Sequence, residues 1–282
     1  MPRAMPALAL LAALPLCAAA AAAVAPAPAT PSDTGFASYA FASELGSGIY
    51  AVDGRTIQVY QLSPSYLLRP PAPHGGRPGI RLILPITAGF FNFQPIDLVH
   101  GQLPSSIGAL SLEPGVQLDY HINDAWDIYP YVKGGGTFAS SAEINAVIFG
   151  TGVRSDYRFE AFDTDDLWRA ELAYAGVHYP GNLPNDSFTR LRDGLELRRT
   201  LDWIWRGREP QIAPYLLADI YFNAPSGPQS GISARTLQFE AGLMLSVTPM
   251  WDFHGVSLPR LGIGYREAGV LSGWRLVIGE PF

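Results

Sequence analysis

In the stretch LQFEAGLMLSV, residues 237–247, Leu237, Phe239, Ala241, Leu243, Leu245 and Val247 share one parity. Gln238, Glu240, Gly242, Met244 and Ser246 take the other. A period of two belongs to a β-strand with two unlike faces. Soluble strands usually run about 5–6 residues, and a strand that spans a membrane needs about 9–11. This stretch fits the longer class.

The pattern recurs along the chain. SLEPGVQLDYHI sets Leu112, Val116, Leu118, Tyr120 and Ile122 against Glu113, Gly115, Gln117, Asp119 and His121. LWRAELAYAG sets Trp168, Ala170, Leu172 and Tyr174 against Arg169 and Glu171. PYLLADIYF sets Leu216, Ala218, Ile220 and Phe222 against Tyr215, Asp219 and Tyr221. RLRDGLELRR and RLGIGYR repeat the arrangement with arginines on the second face. Turn signals such as RPPAPHGGRPG, GQLPSS, YPGNLPNDS and NAPSGPQSG separate the runs. There are no helical heptads and no alternation of strand with helix. The spacing predicts an all-β chain of about 12 strands, an even number being the rule for bacterial single-chain barrels.

Composition decides which solvent the apolar faces meet. The chain is 48% hydrophobic but only 16% charged, which is sparse for the outer surface of a soluble sandwich. The second faces hold glycine, tyrosine and isolated Arg or Glu, as in a crowded interior. In lipid every backbone polar group must pair within the protein, so a sheet survives there only when closed. The reading is a closed antiparallel transmembrane β-barrel. Trp126, Tyr129, Tyr131, Trp168, Tyr179, Trp203, Trp205, Trp251 and Trp274 lie mostly near strand ends, where barrels carry aromatic girdles.

At the other end, MPRAMP carries Arg3 and is followed by an uncharged, alanine-rich apolar run and then by Ala, Pro and Thr. That layout is an export signal. Residues 1–29 read as the signal peptide, cut near 23 or 29. Residues 30–48 read as an N-terminal segment, a helix or a first strand, and 49–282 as the barrel. Cys17, the only cysteine, lies within the signal. The net charge is −6 with Lys133 the only lysine and no basic run, so nucleic acid is not an expected partner.

The face opposite the apolar one predicts a lumen lined by Arg169, Glu171, Arg190, Arg192, Glu196, Arg198, Glu240, Arg260 and Arg266. Charges there must pair or be wet. They form either a structural network or the lining of a small pore. His121 and Asp119, two apart, predict a hydrogen-bonded interior pair. Asp163, Asp165 and Asp166 lack the glycine and distal glutamate of a calcium loop and read as a solvated loop. No Gly-x-Ser-x-Gly elbow and no His-Glu-x-x-His zinc pair occurs. No catalytic residue, metal ligand or cofactor site is therefore assigned.

The C-terminal GWRLVIGEPF puts Trp274, Leu276, Ile278 and Phe282 on one parity, all expected to face lipid. This resembles the closing strand of bacterial outer-membrane barrels, in which a terminal aromatic and alternate apolar residues form an assembly signal. Glu280 and Pro281 depart from that pattern. With SLEPGVQLDY, YPYVKGGG, GTGVRSDYRF and LELRRTLDW, the chain resembles the autotransporter β-domains, in the solitary form that has the translocator fold without a passenger. The resemblance implies a multi-pass protein of the Gram-negative outer membrane with both chain ends periplasmic. It implies partners among outer-membrane lipids, periplasmic chaperones and the barrel-assembly machinery. It implies a non-enzymatic role, as a small pore or in transport. An outer-membrane lipid-modifying hydrolase and a soluble exported β-barrel or sandwich are the alternatives.

Overall fold

The computed structural model describes residues 44, 46–52, 55–73, 76–91, 109–138, 145–161, 164–179, 185–222, 237–248, 252–253, 256–257, 260–268 and 271–282. Residues 1–29, expected to be a signal, most of 30–48, Asp163, His74, His100, His254 and Trp251 lie outside them.

Prolines hide the strand count. Pro64, Pro85 and Pro114 each lack an N–H and interrupt a strand, yet their carbonyls still accept across the sheet. The amides of Leu84, Glu113 and Gly134 donate to them at 2.9, 2.9 and 3.0 Å. Counted through these breaks, the chain forms a closed antiparallel barrel of twelve strands. They are β1 (Gly48–Val52), β2 (Arg55–Leu62, resuming as Ser65–Arg69), β3 (Gly79–Ile83 and Ile86–Phe91) and β4 (Ala109–Leu112 and Gly115–Asn123). Next come β5 (Trp126–Phe138), β6 (Asn145–Ala161), β7 (Thr164–His178) and β8 (Asp186–Glu196 and Arg199–Thr200). The last are β9 (Glu209–Tyr221), β10 (Leu237–Thr248), β11 (Leu261–Ala268) and β12 (Leu271–Ile278). A short hairpin, Asp252–Phe253 with Val256–Ser257, stands apart from the wall.

Each strand pairs with its sequence neighbours, and β12 closes on β1 with Arg275 opposite Gly48 and Trp274 opposite Ile49. No edge is left open, which removes the template for pairing with another chain. From Gly48 the register runs through Arg275, Gly264, Gly242, Tyr215, Glu196, Leu167 and Arg158. In the other direction it runs through Val59 and Gly89 to Ala109, the opposite end of β4 from the β4–β5 turn that Arg158 reaches. Such a climb means steeply tilted strands. Gly135 sits where β4 bends at Glu113: a Cβ there would lie 1.7 Å from the Leu112 carbonyl oxygen, so only glycine fits.

Burial is inverted relative to a soluble protein. Leu216 is 61% exposed and Trp274 57%, whereas Arg266 and Asp219 are 0% exposed. Along β10 the apolar residues Leu237, Phe239, Leu243 and Leu245 face outward, while Gln238, Glu240 and Met244 are buried. Burying one such apolar side chain is worth about 1.5–3 kcal/mol. A wall that leaves dozens of them outside is built for hydrocarbon. On that outer wall Trp126, Tyr157 and Trp168 stand side by side on β5, β6 and β7. The indole N–H of Trp126 donates to Ser155 (2.8 Å) and that of Trp168 to Asp193 (2.7 Å).

A lumenal ion-pair network as the candidate functional site

Of the nine charged side chains expected on the inner face, Arg169, Arg190, Arg192, Glu196, Glu240 and Arg266 are buried, while Glu171, Arg198 and Arg260 are half-buried and paired with them. β8 delivers Arg190 and Arg192, whose side chains are buried, on one parity, because Leu191, Asp193 and Leu195 take the outer face. Arg192 clamps Asp219 of β9 with two hydrogen bonds, Nε to Oδ1 at 2.7 Å and Nη2 to Oδ2 at 2.9 Å. Arg266 of β11 reaches the same carboxylate at 3.1 Å and donates to Glu240 at 2.9 Å. Arg275 of β12 completes that end, 3.0 Å from Glu240, and Tyr215 donates to Glu240 at 2.7 Å. On the other side Arg190 meets Glu171 of β7 at 2.6 Å, and Tyr131 donates to Glu171 at 2.8 Å.

The link across the lumen is Glu44, a residue that precedes β1. One carboxylate oxygen is 2.8 Å from Lys133 Nζ on β5, and the other is 2.8 Å from Arg190 Nη1 on β8. Arg190 and Arg192 also donate to the Glu44 carbonyl oxygen, each at 3.3 Å. Lys133 has a second partner, Glu113 of β4, at 3.2 Å. The network thus runs unbroken from Glu113 through Lys133, Glu44, Arg190, Asp219, Arg266 and Glu240 to Arg275. Burial alone would raise the Glu44 carboxyl, but the charges of Lys133 and Arg190 outweigh it and hold the group at about 2.

A second cluster surrounds Arg169 of β7. Its Nε and Nη2 each lie 2.6 Å from an oxygen of Asp156 on β6, in bidentate geometry, and its Nη1 is 2.6 Å from Glu280. A third joins Arg198 and Arg260 to Glu196. Asp166 holds Arg199 at 3.0 Å and accepts from the Arg198 amide at 2.6 Å.

Several placements differ from the sequence expectation. Asp166, expected in a solvated loop, is fully buried on β7, where its carboxylate is held by Arg199. Trp274, Leu276 and Ile278 face outward, but Phe282 does not. Gly279 has φ +97°, a left-handed turn after the last strand, and it swings the following residues inward. Phe282 then packs in the lumen against the cluster of Ala213, Tyr215, Met244 and Val277. The Arg169 guanidinium stands 5.5 Å from its ring centre and donates to its backbone oxygen. Glu280 follows from the same turn: it is an ion-pair partner of Arg169. Tyr129 and Tyr131 belong to the lumen and not to an aromatic girdle, because they share the inward parity of Lys133. Arg154 lies over the Tyr129 ring at 4.5 Å. His121 pairs with Asp127 across the β4–β5 turn, while Asp119 accepts from Gln117 at 2.7 Å and from Arg81 at 3.0 Å.

Glu44, Glu113, Lys133, Asp156, Asp219 and Arg275 take part in these clusters and were left out of the nine by sequence reasoning. Asp219 carried a signal, its parity with Tyr215 and Tyr221. Glu44 carried none, because the segment around it has no alternation. A groove of about 580 Å³ is lined largely by outer-wall residues, Val116, Val132, Val153 and Leu172 among them. Among the described residues no hydrogen bond joins a histidine to a serine hydroxyl.

No family model matches the sequence, and no curated protein matches it. Among solved structures, the fold is similar to the β domain of the Bordetella autotransporter BrkA, with a TM-score of 0.54 and 13% identity, covering 82% of this chain and 93% of that one. The likeness is one of fold: this chain has the closed twelve-stranded barrel of an autotransporter β domain.

Proposed function

We propose that the chain is an integral outer-membrane barrel without enzymatic activity, whose charged lumen is a narrow conduit stoppered by Glu44. The observation that carries this reading is the inverted burial: a closed apolar wall around a core of paired charges. That arrangement is stable only with hydrocarbon outside. The barrel end that bears both chain termini would face the periplasm. The outward row of Trp274, Leu276 and Ile278, with Phe282 behind it, would serve as the segment read during barrel assembly. Lumenal arginines favour anions over cations.

Two measurements test it. The purified protein should migrate as a compact band on a denaturing gel when unheated and shift on heating, and should leave the membrane only with detergent. In planar bilayers the native protein should pass little current, and Glu44→Ala should raise the conductance several-fold with a preference for anions. A soluble unheated fraction would remove the membrane reading. Equal silence of both proteins in bilayers would remove the conduit.

A further inference from the structure

The cations around Glu44 are held in place without it. Lys133 is fixed by Glu113 (3.2 Å), Arg190 by Glu171 (2.6 Å) and Arg192 by the bidentate pair with Asp219. All three cations are buried, and the partners that hold them belong to the barrel wall. The wall therefore builds the cradle by itself, and Glu44 enters it as an occupant. Its geometry is that of a carboxylate receptor, with Lys133 on one oxygen and Arg190 on the other, each at 2.8 Å.

Charge balance points the same way. Among the described residues the connected network holds five cations, Lys133, Arg190, Arg192, Arg266 and Arg275, and four wall carboxylates, Glu113, Glu171, Asp219 and Glu240. Glu44 is the fifth carboxylate. Without it the cradle carries one uncompensated positive charge in a buried site, which favours capture of an anion.

We propose that Lys133, Arg190 and Arg192 form a receptor for small carboxylic acids, of which Glu44 is the tethered occupant. This rests on the barrel reading but not on conduction. A solute carboxylate reaching the lumen competes with Glu44, and a site relieved of Glu44 takes up the free acid.

Chemical rescue tests this directly. Glu44→Ala removes the Cγ and the carboxylate of the side chain, and acetate has those atoms and that charge. The purified Glu44→Ala barrel in detergent is titrated with sodium acetate against sodium chloride of equal ionic strength. The readout is the temperature at which the compact gel band converts to the heated one. Acetate should raise that midpoint by several degrees and saturate, as ligand linkage requires. Native protein should show no such gain. Glu44→Gln, which fills the cradle with a neutral isostere, should gain at least tenfold less, and Glu44→Ala with Lys133→Met should lose the response. Phosphate at equal ionic strength should act more weakly than acetate, since the two donors bracket a planar group. A midpoint indifferent to acetate, an equal gain in chloride, or a rescue that survives Lys133→Met overturns the receptor. In each of those cases a compact, heat-modifiable band shows that the barrel reading stands; absence of that band from the native protein overturns the barrel reading instead.

Discussion

Asp219 is the most heavily committed carboxylate in the lumen, and replacing it with asparagine is the sharpest test of the network. Its two oxygens serve Arg192 at 2.7 and 2.9 Å, Arg266 at 3.1 Å and, more distantly, Arg190 at 3.8 Å. Asparagine keeps the shape, removes the charge and turns an amide N–H toward a guanidinium. Breaking a buried pair from one side costs about 3–5 kcal/mol. At about 2–4 °C per kcal/mol for a domain of this size, the heat-modification midpoint should fall by roughly 6–20 °C. Asp193→Asn is the matched control: Asp193 faces outward and is held by a single Trp168 indole, so its loss should cost no more than about 1 kcal/mol. Adding Arg192→Gln to Asp219→Asn should cost less than the two changes summed, with a coupling of about 0.5–3 kcal/mol. A midpoint for Asp219→Asn within a degree or two of native, or strict additivity with Arg192→Gln, would refute the claim that these pairs hold the lumen.

Three further outcomes follow from the same geometry. Glu44 is depressed from 4.5 to about 2, so its contribution, on the order of 3 kcal/mol, should be fully present above about pH 4.5 and drain away as pH falls toward 2; unfolding midpoints of Glu44→Gln should lack that component of the acid loss. Leu216→Arg, at a 61% exposed outer position, should cost about 2–4 kcal/mol if hydrocarbon covers it and almost nothing if water does, which urea unfolding of the barrel in lipid vesicles can read. Gly279→Ala should cost about 1–2 kcal/mol, entirely from its φ of +97°, since no heavy atom lies within 4 Å of the added Cβ; a neutral result would mean that Phe282 is not folded into the lumen.

Periodicity told which wall each residue belongs to, and little about what each one touches. Alternation over 237–247 or 190–198 fixes the face because side-chain direction in a strand is local. The twelve strands and the inward arginines were legible for that reason, and even the three prolines only broke the pattern without ending the pairing. Partnership is different, because strand tilt and the closure of the barrel decide it. His121 sits two residues from Asp119 but meets Asp127, whose position depends on how the β4–β5 turn folds back. Phe282 keeps the parity of Ile278 in the sequence, and one left-handed glycine between them cancels it. Parity arguments hold only while every residue stays extended.

Glu44 marks the limit most clearly. It bonds to Lys133 across 89 positions and to Arg190 across 146, and no local pattern marks it out. What could have found it is arithmetic on the inner face. Once the inward charges are paired across the sheet, the network keeps, among the described residues, five cations for four wall carboxylates. A buried guanidinium without a counter-charge is far costlier than an ordered loop or tail residue that supplies one. An excess of one cation in that network therefore favours an acid from outside the wall, whether a solute or the chain's own leading segment. SELGS, residues 43–47, offers the acid next to the start of β1, and a segment there can enter the lumen without breaking any strand. The same surplus that draws Glu44 inward is what would bind a free carboxylate in its absence, so the stopper and the receptor are two readings of one charge.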